Sequence, residues 1–116
     1  MKKYKKYIEK RPWGKFEKYV ENKVCTVKLH YINPNQEWSL QYHNKREEFY
    51  KIIEGSAEVT IGNKIIKAKK DDQFFVSKKT KHRIRAGKEL VKVLEICFGK
   101  FDEKDEVRLE DKYNRK

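Results

Sequence analysis

Three side chains of the types that bind transition metals stand out in this chain. His43 and Glu48 lie five residues apart, and His82 follows later in the sequence. Two imidazoles and a carboxylate can hold Zn²⁺, Mn²⁺, Fe²⁺ or Ni²⁺ and leave coordination positions open for water or substrate. Two histidines and a glutamate occur in most proteins, however, so the spacing alone leaves open that His43 and His82 are ordinary strand residues.

The neighbours of His43 add to this pattern. Gln41 and Lys45 fall on the face of His43 if the segment is extended, and three polar groups on one face need water or a shared site. Glu48 follows a polar bend, where the chain could fold its carboxylate back toward His43. By contrast, His30 alternates with polar neighbours along an extended run, so we expect it to be a strand residue that faces solvent.

Alternating apolar and polar residues predict a series of short strands separated by turns. The pair Gly62-Asn63 between two such runs is a two-residue hairpin signal, and Arg11-Pro12-Trp13-Gly14 indicates an earlier turn. Only the tail from Asp102 to Tyr113 has a helix-like pattern. We therefore predict an all-β sandwich or barrel with a short C-terminal helical segment. The expected strands cover residues 24–32, 38–43, 48–53, 57–61, 64–68, 74–76, 82–85 and 90–98.

Length and composition predict one soluble domain over residues 1–116, in which residues 1–10 form a charged N-terminal arm. No apolar run approaches the roughly 18 residues of a membrane span, and the lysine-rich start lacks an apolar signal core. We therefore expect a cytoplasmic protein without a membrane partner. Cys25 and Cys97 have no metal-site spacing, and we expect both to be reduced and buried. A disulfide between them stays an open alternative.

The charge of the chain bears on its partners. A net charge of +12 is compatible with nucleic acid or with a small anionic substrate. Lysine greatly outnumbers arginine, however, and it is spread along the whole chain, whereas nucleic-acid readers favour arginine for bidentate contacts. We therefore expect a small phosphorylated substrate rather than nucleic acid as the partner.

Several motifs, in order along the chain, resemble the type II mannose-6-phosphate isomerase family, the cupin domain also found fused behind mannose-1-phosphate guanylyltransferase. The central motif of that family is Leu-Ser-Leu-Gln-x-His-x-His-Arg-x-Glu-His-Trp. The resemblance runs from Arg11 to Arg115. The matching residues are Arg11-Pro12-Trp13-Gly14 near the start, then Ser39, Leu40, Gln41, His43, Arg46 and Glu48, then Gly55, Ala57, Val59, His82, Arg83 and Gly87, and finally the ending from Asp105 to Arg115.

This resemblance implies a double-stranded β-helix, the jelly-roll-like barrel of the cupins, with two facing antiparallel sheets and a site in the barrel mouth. It implies a metal-dependent isomerase that interconverts mannose 6-phosphate and fructose 6-phosphate, in the service of polysaccharide biosynthesis. One divalent metal ion is expected as cofactor, Zn²⁺ first, with Mn²⁺, Fe²⁺ or Ni²⁺ as alternatives. We also expect a homodimer, because edge strands and the N-terminal arm need cover.

The resemblance also implies roles for individual residues. The metal ligands would be His43, Glu48 and His82, with Gln41 as an oxygen donor. Glu48, if it is not a ligand, and Glu95 are candidate bases for moving the proton between C1 and C2 of the sugar. The arginines at matched positions would bind the phosphate, or else form salt bridges at the surface; they are Arg11, Arg83, Arg108 and Arg115.

Some positions depart from the family motif. Lys45 stands where the second histidine is usual, and Phe49 replaces the histidine after Glu48. A protonated lysine has no lone pair for a metal, although its ammonium could stand in for the cation and contact an anionic substrate. Lys45 is therefore a further candidate catalytic residue. The alternative function is a non-catalytic cupin module that binds a sugar phosphate or nucleotide sugar, and a nucleic-acid-associated basic protein is a third.

Overall fold

The computed structural model describes residues 7–113, which form eleven β-strands and contain no helix that could cross a membrane. The predicted all-β architecture is confirmed, and every predicted strand is present. The strands are β1 Tyr7–Arg11, β2 Gly14–Lys18, β3 Cys25–Ile32, β4 Leu40–Tyr42, β5 Glu47–Glu54, β6 Ala57–Ile61, β7 Lys64–Ala68, β8 Gln73–Val76, β9 His82–Ala86, β10 Val91–Phe98 and β11 Val107–Glu110.

Two antiparallel sheets face each other and enclose the core. One has the strand order β3-β10-β5-β8 and the other β11-β4-β9-β6-β7. A separate hairpin is formed by β1 and β2 across the turn at Pro12 and Trp13. Burial of apolar surface between the two sheets stabilises the barrel. The core residues come from both sheets and include Ile32, Tyr50, Ile52, Val59, Val76, Ile84, Val91 and Val93.

The inner face of the barrel changes from apolar to polar along the strands. On β10, Val93 faces the core, whereas the next inward-facing residues, Glu95 and Cys97, are polar and equally buried. The neighbouring β5 matches this change, because Ile52 lies opposite Val93 and Tyr50 lies opposite Glu95. The same pair of strands therefore supplies an apolar core and, next to it, a buried polar pocket.

Local turn chemistry agrees with the sequence in two places. Gly62-Asn63 joins β6 to β7 as the predicted two-residue hairpin, and Arg11 closes the β1–β2 hairpin opposite Gly14. Residues 7–10 of the predicted arm belong to β1, whereas residues 1–6 lie outside the described part. The strand β2 was not predicted. Both cysteines are free.

The predicted helical segment over Asp102–Tyr113 is wrong. Val107–Glu110 instead forms β11, which pairs antiparallel with β4 from Val107 opposite Tyr42 onward. Val107 and Leu109 fit a period of two as well as a helix, and a short isolated helix forms too few hydrogen bonds to offset its nucleation. Pairing as a strand also satisfies backbone groups of β4, which would otherwise be a sheet edge.

The orientation of β3 also differs from the expectation. Its apolar side chains Val27, Leu29 and Tyr31 are exposed, whereas His30 faces inward with its side chain only 28% exposed. The expectation that His30 faces solvent is therefore wrong. The physical reason lies on the neighbouring β10, where the buried carboxylate of Glu95 provides a partner for an inward-facing imidazole.

Gly55 generates a prediction about stability. Its φ is +88°, and a Cβ there would lie 2.6 Å from the backbone oxygen of Leu90. Gly55→Ala should lower the free energy of unfolding by roughly 2–4 kcal/mol, because the left-handed backbone and the clash both disfavour a side chain. Urea denaturation measures this. The control is Gly62→Ala, where φ is +60° but the space is open, and only about 1 kcal/mol should be lost. Equal losses would contradict the role of the clash.

Candidate metal centre

The three predicted metal ligands meet inside the polar end of the barrel. His43 follows β4, Glu48 lies on β5 and His82 is the first residue of β9, and all three are buried. The pairing of β4 with β9 sets Gln41 opposite His82, and so brings the chain near His43 toward a residue distant in sequence. Glu48 comes from the facing sheet and completes the cluster.

Hydrogen bonds fix the tautomer of both imidazoles. The Nδ1 atom of His43 lies 2.6 Å from the backbone oxygen of Asp105, and Nδ1 of His82 lies 2.9 Å from that of Thr80. A carbonyl oxygen only accepts, so each Nδ1 must carry a proton, and in the neutral ring Nε2 presents its lone pair. Outer hydrogen bonds of this kind are typical of histidines that bind metals.

The two Nε2 atoms converge on one carboxylate oxygen. Each lies 3.2 Å from Oε1 of Glu48, which is a hydrogen-bond distance when Nε2 carries a proton. Lone pairs that face each other at this distance need a positive charge between them, either a proton or a metal ion. A Zn²⁺ ion about 2.1 Å from each ligand would separate the ligand atoms by roughly 3–3.4 Å. The donor set therefore fits a divalent cation.

A buried arginine that sequence reasoning did not assign to the site lies against these ligands. The side chain of Arg46 is 6% exposed, and its Nε donates to Oε2 of Glu48 at 3.2 Å. A terminal nitrogen of the guanidinium faces Nε2 of His43, also at 3.2 Å, and the group lies over the ring of Phe101. Arg46 therefore compensates the negative charge of Glu48. Its guanidinium also contacts Nε2 of His43, the atom that would bind a metal ion.

The burial of these charges changes their ionisation. Burial raises the pKa of Glu48, but hydrogen bonds from His43 and His82 outweigh burial and hold that pKa well below its usual range. Burial lowers the pKa of His43, but the hydrogen bond and the charge of Glu48 outweigh it and leave the pKa raised. The carboxylate of Glu48 thus stays ionised and depends on the positive groups around it.

Lys45 lies outside the cluster of ligands. The residue is exposed in the bend after His43, and its backbone N–H donates to Oδ2 of Asp105 at 2.8 Å, while that of Asn44 donates to Oδ1 at 3.0 Å. Burial raises the pKa of Asp105 slightly, but these two bonds outweigh it and lower the pKa. Asp105 therefore holds the bend with its side chain and orients His43 with its backbone oxygen.

A second polar cluster adjoins the ligands. The Tyr50 hydroxyl lies 2.8 Å from Oε1 of Glu48 and 2.9 Å from Oε2 of Glu95, whose other oxygen is 2.9 Å from Nε2 of His30. Burial raises the pKa of Tyr50 far above its ordinary value, so the hydroxyl keeps its proton and donates it to one carboxylate at a time. Burial likewise raises the pKa of Cys97, whose thiol donates to Glu48 at 3.3 Å.

His30 and Glu95 of the second cluster, together with Arg46, line a cavity of about 260 Å³. Its wall combines one large aromatic ring with side chains of both charges. Pockets for drug-sized ligands measure roughly 300–1,000 Å³, so this cavity suits a ligand nearer the size of a monosaccharide. The lining residues are Lys28, His30, Trp38, Ser39, Gln41, Arg46, Glu95, Glu103, Glu106 and Arg108.

Gln41, predicted as an oxygen ligand, lines this cavity beside the metal cluster. Its amide nitrogen donates to the carboxylate of Glu106 at 3.0 and 3.2 Å and to the hydroxyl of Ser39 at 2.8 Å. The C-terminal segment thus holds the amide in place through its nitrogen.

The predicted phosphate-binding arginines lie in separate places. Arg108 lines the cavity and pairs with Glu106 at 2.6 Å. Arg83 and Arg11 pair with other glutamate side chains at 3.1 and 2.8 Å, and Arg11 lies on the β1–β2 hairpin. Arg115 lies outside the described residues. Of the arginines with a predicted role that the structure describes, Arg108 is thus the one that lines the cavity.

The comparisons with known proteins identify the family. The family described as Mannose-6-phosphate isomerase C-terminal matches residues 2–111. The chain belongs to this family. It is 31% identical over 107 residues to the xanthan biosynthesis protein XanB of Xanthomonas campestris, which covers 90% of this chain and 23% of that protein. It is 29% identical over 107 residues to the mannose-1-phosphate guanylyltransferase ManC of Salmonella typhimurium, with 90% of this chain and 22% of that protein covered.

Solved structures confirm the cupin fold for this member of the mannose-6-phosphate isomerase C-terminal family. Oxalate decarboxylase from Bacillus subtilis superposes with a TM-score of 0.69 at 25% identity, over 75% of this chain and 24% of that chain. The double-stranded β-helix predicted from the resemblance is therefore correct. The chain spans about a quarter of the length of the relatives named here, so their full activities do not transfer directly to it.

Some residues of this family member were missed at the level of sequence. Arg46 stands in the matched central motif, and that position was the available signal. The sequence contained no signal of a functional role for His30, Trp38 or Tyr50. An aromatic residue or a histidine in such a segment is more often part of the core or of the surface. His30 and Tyr50 both reach Glu95 because strand register brings β3, β5 and β10 together.

Arg46 generates a prediction about the stability of the metal-free protein. Arg46→Ala should lower the free energy of unfolding by roughly 3–5 kcal/mol, because it leaves the carboxylate of Glu48 buried without its cation. Urea denaturation in the presence of a chelator measures the change. The matched control is Arg85→Ala on the exposed face of β9, which should change stability by no more than about 0.5 kcal/mol. A loss below about 1 kcal/mol for Arg46→Ala would contradict this account of the pair.

Proposed function

We propose that this domain is a metal-dependent aldose–ketose isomerase that interconverts mannose 6-phosphate and fructose 6-phosphate. The observation that carries the proposal is the convergence of two imidazole lone pairs and one carboxylate oxygen beside a small polar cavity that contains a second carboxylate. Membership of the Mannose-6-phosphate isomerase C-terminal family supports the same reaction.

The proposed cofactor is one divalent ion, Zn²⁺ first, held by His43, Glu48 and His82, with Mn²⁺, Fe²⁺ and Ni²⁺ as alternatives. When bound, such an ion supplies Lewis-acid stabilisation of negative charge that develops on a sugar oxygen. The donor set supports this assignment, because both histidines present Nε2 while their Nδ1 atoms are held by carbonyl oxygens. Gln41 pairs with His82 across β4 and β9 and is proposed as a further oxygen donor.

The two buried carboxylates take different roles in this proposal. The carboxylate of Glu48 is contacted by His43, His82 and Arg46. We therefore assign it to binding the metal ion and not to accepting a proton from the sugar. Glu95 lines the cavity, and one of its oxygens lies within 4.8 Å of an oxygen of Glu48, so it is the base that moves the proton between C2 and C1. Lys45 has no such contact with the cluster, since it is exposed, and we assign it no catalytic step.

The phosphate of the substrate would be bound by basic groups at the mouth of the cavity. Lys28 and Arg108 line it, and each is paired with a glutamate of the C-terminal segment, at 3.4 Å with Glu103 and at 2.6 Å with Glu106. A phosphate carries more negative charge than a carboxylate, so it can displace the two glutamates from Lys28 and Arg108. Arg83 and Arg11 face other glutamates and are assigned to surface ion pairs.

The second candidate function is a non-catalytic module that binds a sugar phosphate or nucleotide sugar. The terminal nitrogen of Arg46 at 3.2 Å from Nε2 of His43 favours it, because a guanidinium in that position could replace a metal ion. The cavity and its basic residues would then serve for binding alone. The relative XanB is named for xanthan biosynthesis, so under either function we propose a role in the supply of sugars for polysaccharides, in the cytoplasm.

Metal content and turnover test the proposal together. The purified protein with added Zn²⁺, Mn²⁺, Fe²⁺ or Ni²⁺ should convert mannose 6-phosphate, and a chelator should stop the reaction. His43→Ala and His82→Ala should each lower metal affinity at least about 100-fold, because loss of even an outer-shell partner costs about 10- to 100-fold. Calorimetric titration with Zn²⁺ and a coupled assay for fructose 6-phosphate give the two readouts.

The control for this experiment is Lys45→Ala, which should retain both metal binding and turnover. Metal binding without turnover would favour the binding module. Absence of both would overturn the isomerase and the metal site, and loss of turnover in Lys45→Ala would return that residue to the catalytic set.

We also propose that the domain forms a homodimer through the edge strand β3. The backbone of β3 lies at the edge of its sheet, where a second copy can pair with it, and its exposed side chains Val27, Leu29 and Tyr31 add an apolar surface. The double variant Leu29→Lys with Tyr31→Lys should therefore shift the protein to a monomer in size-exclusion chromatography with light scattering. Ile65→Lys, at an exposed position of β7, an edge strand of the other sheet, should leave the dimer intact. A monomeric wild-type protein would contradict the proposal.

A further inference from the structure

A histidine–carboxylate pair lies beside the metal centre and is not part of its ligand set. Nε2 of His30 lies 2.9 Å from Oε1 of Glu95, and the imidazole packs on the ring of Trp38 with the centroids 4.8 Å apart. The His30 side chain is 28% exposed, whereas that of Glu95 is 5% exposed. Both residues line the cavity, so the pair is held by the protein on one side and is open to a ligand on the other.

This pair is connected to the ligand Glu48 through one hydroxyl. Tyr50 is within hydrogen-bond distance of Glu48 and of Glu95, at 2.8 and 2.9 Å. The connection holds the two clusters close together, with a carboxylate oxygen of Glu48 within 4.8 Å of one of Glu95. His30 contacts Oε1 of Glu95 and lines the same cavity, so a ligand bound in that cavity meets both residues.

We propose that His30 is a catalytic residue that carries the oxygen-bound proton of the reaction, while Glu95 carries the carbon-bound proton. This inference rests on the proposed isomerase function. In the forward direction the Glu95 carboxylate takes the proton from C2, and protonated His30 gives a proton to O1, which produces the enediol. Neutral His30 then takes the proton from O2, and Glu95 returns its proton to C1. The hydrogens on C2 and O2 move to C1 and O1, and both residues end in their starting states.

The different roles proposed for Glu95 and His30 follow from their positions in the cavity. Glu95 lines the cavity, and its contacts with His30 and Tyr50 hold the carboxylate in one orientation, which suits transfer of a proton between two neighbouring carbon atoms. A partly exposed imidazole can exchange its proton with the substrate and with solvent, and histidine is the side chain best suited to do so near neutral pH. Packing on Trp38 limits rotation of the ring and so keeps it beside Glu95.

The test compares His30→Asn, His30→Gln and Glu95→Gln with the wild-type protein, all loaded with Zn²⁺. Each variant should lose about 100-fold or more in kcat, the usual contribution of a positioned acid or base, with KM and Zn²⁺ affinity little changed. The deciding readout is made in D₂O by NMR of mannose 6-phosphate. Both His30 variants should still exchange the C2 hydrogen faster than they form fructose 6-phosphate, whereas Glu95→Gln should lose exchange and conversion together.

Each other outcome has a definite meaning. Turnover within threefold of wild type in both His30 variants would overturn the role of His30 and leave the isomerase standing. Loss of exchange in step with conversion, or loss of Zn²⁺ affinity, in both His30 variants would show that the residue only supports the structure, which also overturns the inference. A wild-type protein without turnover would remove the proposed function and this inference together.

Discussion

The carboxylate of Glu48 is buried inside the barrel, and most of the site is arranged around that one charge. An ionised carboxylate away from water is stable only when it is paired and hydrogen-bonded. Two imidazoles, one guanidinium, one phenol and one thiol surround Glu48. Those groups come from β5, β9, β10 and the segment after β4. Their contacts with the one buried charge therefore connect both sheets at this end of the molecule.

A single barrel contains both the apolar core and the polar pocket. Inward-facing positions alternate along every strand, and along β10 they pass from Val93 to Glu95. A strand must keep this register, because a shift by one residue would turn Glu95 outward and an apolar side chain into the pocket. The packing of Val93 against Ile52 in the core therefore also fixes the position of the carboxylate that faces the cavity.

The C-terminal segment belongs to the site as much as the central motif does. Asp105 accepts the hydrogen bond of His43 and holds the bend before Arg46, while Glu106 holds the amide of Gln41. Strand β11 anchors this segment by pairing with β4. The family match runs through this segment as far as residue 111, and Glu103, Glu106 and Arg108 line the cavity.

The sequence by itself determined the strands from β3 to β10, the hairpin at Gly62-Asn63 and the all-β class, and its motifs singled out His43, Glu48 and His82, because alternation, turn chemistry and motif order are local properties. Only the tertiary structure decided that His30 faces inward, that Arg46 lies buried against the ligands and that Lys45 does not. It also decided that the tail pairs as a strand and not a helix. Each of these depends on which residue a side chain or backbone group contacts across the sheets. The energy of such a contact between residues distant in sequence cannot be inferred from a local sequence pattern.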